Sequence, residues 1–172
     1  MFVDHTAESA PPGARRAMEA TAKRLGHLPP AVARMASSPE LLDGFLKASG
    51  LFETSTLDPV AREVLVMTIA ARNGCHVCIA MHSAKLRALG ADDELVEALV
   101  EQQELADPRL DAVRMFTVEV LGAAGDVEGK ALDAFLAQGF TRRNALEVVL
   151  GIGTYTMSTL ANRMTAAPLT SS

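Results

Sequence analysis

Tryptophan is absent from this 172-residue chain, and one tyrosine and six phenylalanines make aromatics only 4% of it. Pleated sheets favour β-branched and aromatic side chains, so the shortage points to closely packed helices rich in Ala, Leu, Val and Met. Clear alternation of apolar and polar residues over strand length is missing too, which makes an all-α fold the expectation. The longest apolar run, Val64 to Ala71, is too short to span a bilayer. Basic clusters are lacking, and a net charge of −5 gives no grip on a phosphate backbone. Neither a membrane nor a nucleic-acid partner is expected. Cysteine is scarce: two residues sit close together and no secretory leader is expected, so a disulfide framework is not expected to be what folds the chain. A reducing, cytoplasmic setting is the expectation, and this length buries a sizeable core without staples.

Helix signals run almost end to end. Pro11 and Pro12 open an amphipathic segment that Gly26 stops, and Leu28-Pro29-Pro30 begins a short helix through Met35. Ser38-Pro39-Glu40 supplies a cap, a first-turn proline and an acidic first turn. Asp58-Pro59 repeats that signal for a helix to about Arg72, whose Val60, Val64, Leu65, Met67 and Ile69 leave little polar face. Such a helix is central and buried. Further helices are expected over Cys75 to Leu89, Asp92 to Gln103, Asp107 to Leu121, Val127 to Gln138 and Thr141 to about Met164. Residues 1–10 are expected to be loose, 11–165 to form one domain, and 166–172 to fray. A faint internal helical-pair repeat links the segments starting at Asp58 and Arg142, each with a Glu-Val step, Glu63-Val64 and Glu147-Val148, before an apolar run.

Chemistry concentrates in Asn73-Gly74-Cys75-His76-Val77-Cys78, with His82 four residues on. Cys75, Cys78 and His82 stand at i, i+3 and i+7, on one face of a helix. Asn73-Gly74 breaks the preceding helix, so Cys75 enters the next first turn, where free N–H groups and the helix dipole favour a thiolate. C-x-x-C spacing also lets one thiol attack a substrate and the other resolve the product. Read blandly, the pair is two small buried hydrophobes. Glu63, in an otherwise apolar stretch and with no cation at helical spacing except Arg62, is a candidate general base with a raised pKa. Its alternative is a first-turn Glu reaching solvent. His82 fits a proton relay, a satisfied core histidine or a metal ligand equally. His76 lies off the cysteine stripe, where exposure is expected.

Taken together, Glu63, Cys75-His76-Val77-Cys78 and His82 on consecutive helices resemble the signature of the AhpD-like alkylhydroperoxidases within the carboxymuconolactone decarboxylase superfamily. The likeness runs from Leu28-Pro29-Pro30 through Met164 and is similar to the branch called peroxidase-related proteins. It implies an AhpD-like multi-helical bundle in which Cys78 attacks a hydroperoxide to give a sulfenic acid. Cys75 then resolves it to a disulfide and faces the reductant. Glu63 is implied as base for Cys78, directly or through water, with His82 completing the relay. The family relay also uses a histidine just before the second cysteine; here that place holds Val77 and the histidine is His76, about 100° away around a helix. Weak peroxidase activity or a different substrate is one expectation from that shift.

The resemblance implies no bound cofactor, a dithiol, lipoyl or thioredoxin-like reductant, and a homotrimer or homohexamer. Apolar segments such as Val64 to Ala71 and Val148 to Ile152 also suggest closure against a partner subunit. Three other readings compete. A lactone decarboxylase of the same superfamily would use acid–base residues and no thiols, and no carboxylate-binding arginine is evident near the site. A metal module would draw on Cys75, Cys78, His82 and Glu63, although a chain this apolar needs no staple. A non-catalytic redox sensor would couple the disulfide to assembly.

Overall fold

The computed structural model describes residues 2–169, and among these there are nine helices and no strand. They are α1 (Pro12–Leu25), α2 (Pro30–Met35), α3 (Pro39–Glu53), α4 (Pro59–Arg72), α5 (His76–Ala88), α6 (Asp93–Val100), α7 (Pro108–Gly122), α8 (Gly129–Ala137) and α9 (Arg142–Met164). Each expected helix is present, with ends shifted by a few residues, as fraying termini allow. Capping fixes the starts. Ser38 and Asp58 accept the N–H groups of Leu41 and Ala61, and Thr141 and Asn144 form a reciprocal capping box.

Helix α4 is the axis of the molecule, with α5, α6, α7 and α9 packed around it. Every residue from Glu63 to Ala71 is buried, so the Val64 to Ala71 run is covered within the chain. The expectation that this run closes against another subunit is thereby corrected: four neighbouring helices use its whole circumference. The few aromatics gather at two places. Phe116, Phe135 and Phe140 stack with centroids 4.5 and 4.4 Å apart, joining α7, α8 and the segment just before α9. Phe45 and Phe52 of α3 meet Tyr155 of α9 edge-on at 6.2 and 5.6 Å.

Ahead of α1, Asp4 pairs with Arg34 at 2.6 Å, and His5 reaches Ser37. Arg34 also donates to the carbonyls of Thr165 and Ala166, so one guanidinium touches segments near both ends of the chain. Met1, of the segment expected to be loose, and residues 170–172, of the tail expected to fray, lie outside the described residues. In the internal echo, Ala61, Glu63 and Val64 are buried, as are Ala145, Glu147 and Val148. Helix α9 continues unbroken, however, whereas α4 ends at Asn73. Glu147 accepts from the Thr56 backbone N–H and hydroxyl and from Asn144, which ties down the loop between α3 and α4.

Gly151 shows how closely α9 approaches the core. A Cβ there would sit 2.7 Å from Leu65 and from Phe52, both fully buried. Alanine ordinarily stabilises a helix interior by about 1 kcal/mol over glycine, but overpacking costs about 1–3 kcal/mol, so here the sign reverses. Gly151→Ala is expected to lower the urea midpoint, whereas Gly153→Ala, whose Cβ would meet nothing within 4 Å, is expected to raise it.

Candidate active site

The break between α4 and α5 is made by Asn73 and by Gly74 at φ 62°, a left-handed conformation that glycine adopts without strain. It turns the chain so that Cys75 becomes the N-cap of α5, one position ahead of the first turn expected from sequence, and its Sγ accepts the Cys78 backbone N–H at 3.4 Å. Cys75 and Cys78 are joined in a disulfide with their Cα atoms 5.3 Å apart, and each is only 2% exposed. One turn further along α5 lies His82, buried at 5% exposure. The three expected side chains therefore share the inner face of α5. His76 is exposed on the other side, as expected.

Glu63 projects from α4 into the same interior at 1% exposure, which removes the alternative of a solvent-reaching first-turn Glu. Its Oε2 accepts from His82 Nδ1 at 2.6 Å, and its Oε1 pairs with Lys85 Nζ at 2.7 Å. Lys85 bridges outward to Glu53 at 2.6 Å. Burial pushes the Glu63 carboxyl up, but His82 and Lys85 outweigh it and hold the carboxyl below its ordinary value. The expected raised pKa is corrected on that ground: two donors converge on one carboxylate. Glu63 is thus a counter-ion. Because an ionised carboxylate only accepts, His82 Nδ1 carries the proton, leaving Nε2 as the nitrogen with a free lone pair. Burial works against the charge of Lys85 as well, yet Glu53 and Glu63 raise its pKa.

Helix α9 closes the site with a stripe that sequence reasoning passed over. Tyr155, Ser158, Thr159 and Asn162 are all buried and recur at helical spacing. Tyr155 lies edge-on to His82 with centroids 5.5 Å apart. Thr159 Oγ1 accepts from the Asn73 amide at 2.8 Å, Asn162 Nδ2 donates to Cys78 Sγ at 3.3 Å, and Arg163 donates to the Asn73 carbonyl. The Arg163 guanidinium stands beside the loop, 3.8 Å from where a Cβ at Gly74 would lie, and is engaged by the Asn73 carbonyl. Lys85 carried a readable signal, three residues after His82 on the cysteine face; the α9 stripe was legible only as a run of polar residues in a buried helix. Among the described residues, no group of three or more His, Cys, Asp and Glu is arranged to hold a metal ion.

Glu63 links stability to pH in a definite direction. Its folded pKa is depressed below the ordinary 4.5, so its contribution is fully present above that value and is lost as pH falls through the lower folded pKa. Glu63→Gln is expected to cost about 3 kcal/mol at neutral pH, because it strands buried donors. In urea melts from pH 7 to pH 2, the variant's stability should fall less than the wild type's below pH 4.5.

Comparison with known proteins bears on the fold. Residues 39–119 match the model of the Carboxymuconolactone decarboxylase family. No curated protein matches the sequence. Among solved structures, the chain is similar to an uncharacterized peroxidase-related protein from Ralstonia eutropha JMP134, described as an alkylhydroperoxidase AhpD core. Identity is 18%, the TM-score is 0.84, and 98% of this chain and 90% of that one are covered. A peroxidase-related protein from Silicibacter sp. TM1040 shares 22% identity at TM-score 0.79, with 97% and 90% covered. The debrominase Bmp8, in a complex with 2,3,4-tribromopyrrole, shares 14% identity at TM-score 0.77, with 98% and 91% covered. Residues 39–119 thus match the carboxymuconolactone decarboxylase family model, and the chain as a whole has an AhpD-like fold.

Proposed function

We propose that this chain is a thiol-dependent peroxidase that reduces hydroperoxides through a cycle of the Cys75–Cys78 disulfide. The observation that carries this reading is the buried disulfide one helical turn from a His82–Glu63 pair, which couples a two-electron centre to a proton acceptor. In the reduced protein, His82 Nε2 takes the Cys78 thiol proton. The thiolate attacks the terminal oxygen of the hydroperoxide; an S–O bond forms, the O–O bond breaks, and the leaving alkoxide takes the proton back from His82 as the alcohol departs. Glu63 stabilises the imidazolium in between, a positioning role that replaces the direct base.

Cys75 then attacks the Cys78 sulfur. The S–S bond forms, and the sulfenic hydroxyl leaves as water with the Cys75 proton. A dithiol donor, lipoyl or thioredoxin-like, returns two electrons and two protons. The cycle needs no bound cofactor, and its need for a dithiol donor makes a reducing, cytoplasmic setting part of the reading. Exposed Leu146, Val149, Leu160 and Met164 on α9 support assembly of copies into a homotrimer or homohexamer.

The test is consumption of hydrogen peroxide and of an organic hydroperoxide by the reduced protein with a dithiol donor. Cys78→Ser should abolish turnover. His82→Gln should lower kcat by about 100-fold or more, as loss of general acid–base help does. Absence of turnover in a protein whose Cys75 and Cys78 still cycle would shift the function to a disulfide reductase or sensor, with Val77 in the histidine's place as the cause.

A further inference from the structure

We infer that Asn162 is a catalytic residue for Cys78: its amide N–H selects the thiolate form of that sulfur, and its carbonyl receives the O–H of the oxygen under attack. Cys78 and Asn162 are 84 positions apart in sequence, and nothing local foreshadows this contact. Asn162 is 4% exposed and donates through Nδ2 to Cys78 Sγ at 3.3 Å. Its Oδ1 is fully buried and has no partner in the chain. The assignment of the two amide atoms follows from chemistry, since a disulfide sulfur has no proton to give and only the N–H orientation makes a bond there.

A buried acceptor without a donor is costly and is kept where another state of the site supplies the donor. In the cycle proposed above, two species bring a hydroxyl to the Cys78 sulfur: the hydroperoxide, whose terminal oxygen carries the proton, and the sulfenic acid it leaves behind. Both present an O–H within reach of a group that already touches Sγ. The amide therefore reads sulfur charge with one atom and the O–H of the attacked oxygen with the other. The neighbouring Cys75 sulfur has the Cys78 backbone N–H instead, so each sulfur has its own donor.

This inference rests on Cys78 being the attacking sulfur, and its test is chosen to give an answer without peroxide turnover. In a Cys75→Ser background, the rate of Cys78 alkylation by iodoacetamide is followed against pH. Asn162→Ala is expected to raise the alkylation midpoint by about one unit. The rate at neutral pH then falls about tenfold, while the plateau at high pH stays unchanged. Asn162→Asp should raise the midpoint further through like charge. An unchanged midpoint in Asn162→Ala overturns the role of the N–H. Sulfenic acid formation, trapped with dimedone and divided by thiolate fraction, should also fall in Asn162→Ala; an unchanged rate per thiolate removes the carbonyl from the proposal.

If the variants lose helix by circular dichroism, the Cys75→Ser protein with Asn162 intact decides. A Cys78 midpoint at or above the ordinary value of about 8.5 overturns the inference. A midpoint that moves with Asn162 in a protein that consumes no peroxide would sustain the amide's hold on the thiolate while discarding the peroxidase reading.

Discussion

A carboxylate in the middle of the molecule dictates how its central helices meet. Glu63 sits among apolar residues of α4 at 1% exposure, where an unpaired charge is intolerable. It is tolerated because α5 delivers His82 to one oxygen and Lys85 to the other. Those bonds fix the axial register and rotation of α5 against α4, since a slip of one residue would take both donors off the carboxylate. The placement of the disulfide follows from that register, because Cys75 and Cys78 share the helix face of His82. Lys85 is half exposed and paired outward with Glu53, so the charged network grades from a dry interior to solvent instead of ending in the core.

The second constraint is the break at Asn73-Gly74. A helix carried straight through would bury Cys75 and Cys78 with their N–H groups spent on intrahelical bonds. Ending α4 there frees the first-turn N–H groups of α5 and lets Cys75 act as the N-cap. The break leaves polar groups of its own, and α9 takes them up: Thr159 accepts from the Asn73 side chain, and Arg163 donates to the Asn73 carbonyl. Asn162, between them in sequence, lands on Cys78. Helix α9 is thus a polar template for the loop as well as a wall of the core.

The two buried glutamates of the internal echo illustrate how similar local sequence serves different ends. Glu147 accepts from Thr56 and Asn144 and secures a loop. Glu63 accepts from an imidazole and an ammonium and ties α4 to α5 beside the disulfide. Burial pushes both carboxyls up, and in both the donors around them win and lower the pKa. What separates them is the chemistry of the partners, neutral donors and one arginine in the first case and the α5 imidazole and ammonium in the second.

Local rules in the sequence determined the helices, because prolines, caps and stop glycines act within a few residues of themselves. Ser38, Asp58 and Thr141 cap as their residue types require, and α4 is buried as its unbroken apolar face demands. The cysteine and His82 stripe was legible for the same reason, since helical periodicity alone puts those side chains on one face. The ionisation of Glu63 was not legible, because it hangs on Lys85, which reaches it only when α4 and α5 pack. Nor were Tyr155 and Asn162: their contacts with His82 and Cys78 join residues that are remote in sequence. The chain's own pattern decided which helices form and which face of each is inward; only tertiary packing decided which charges meet, because pairing depends on the register between helices and no local rule encodes it.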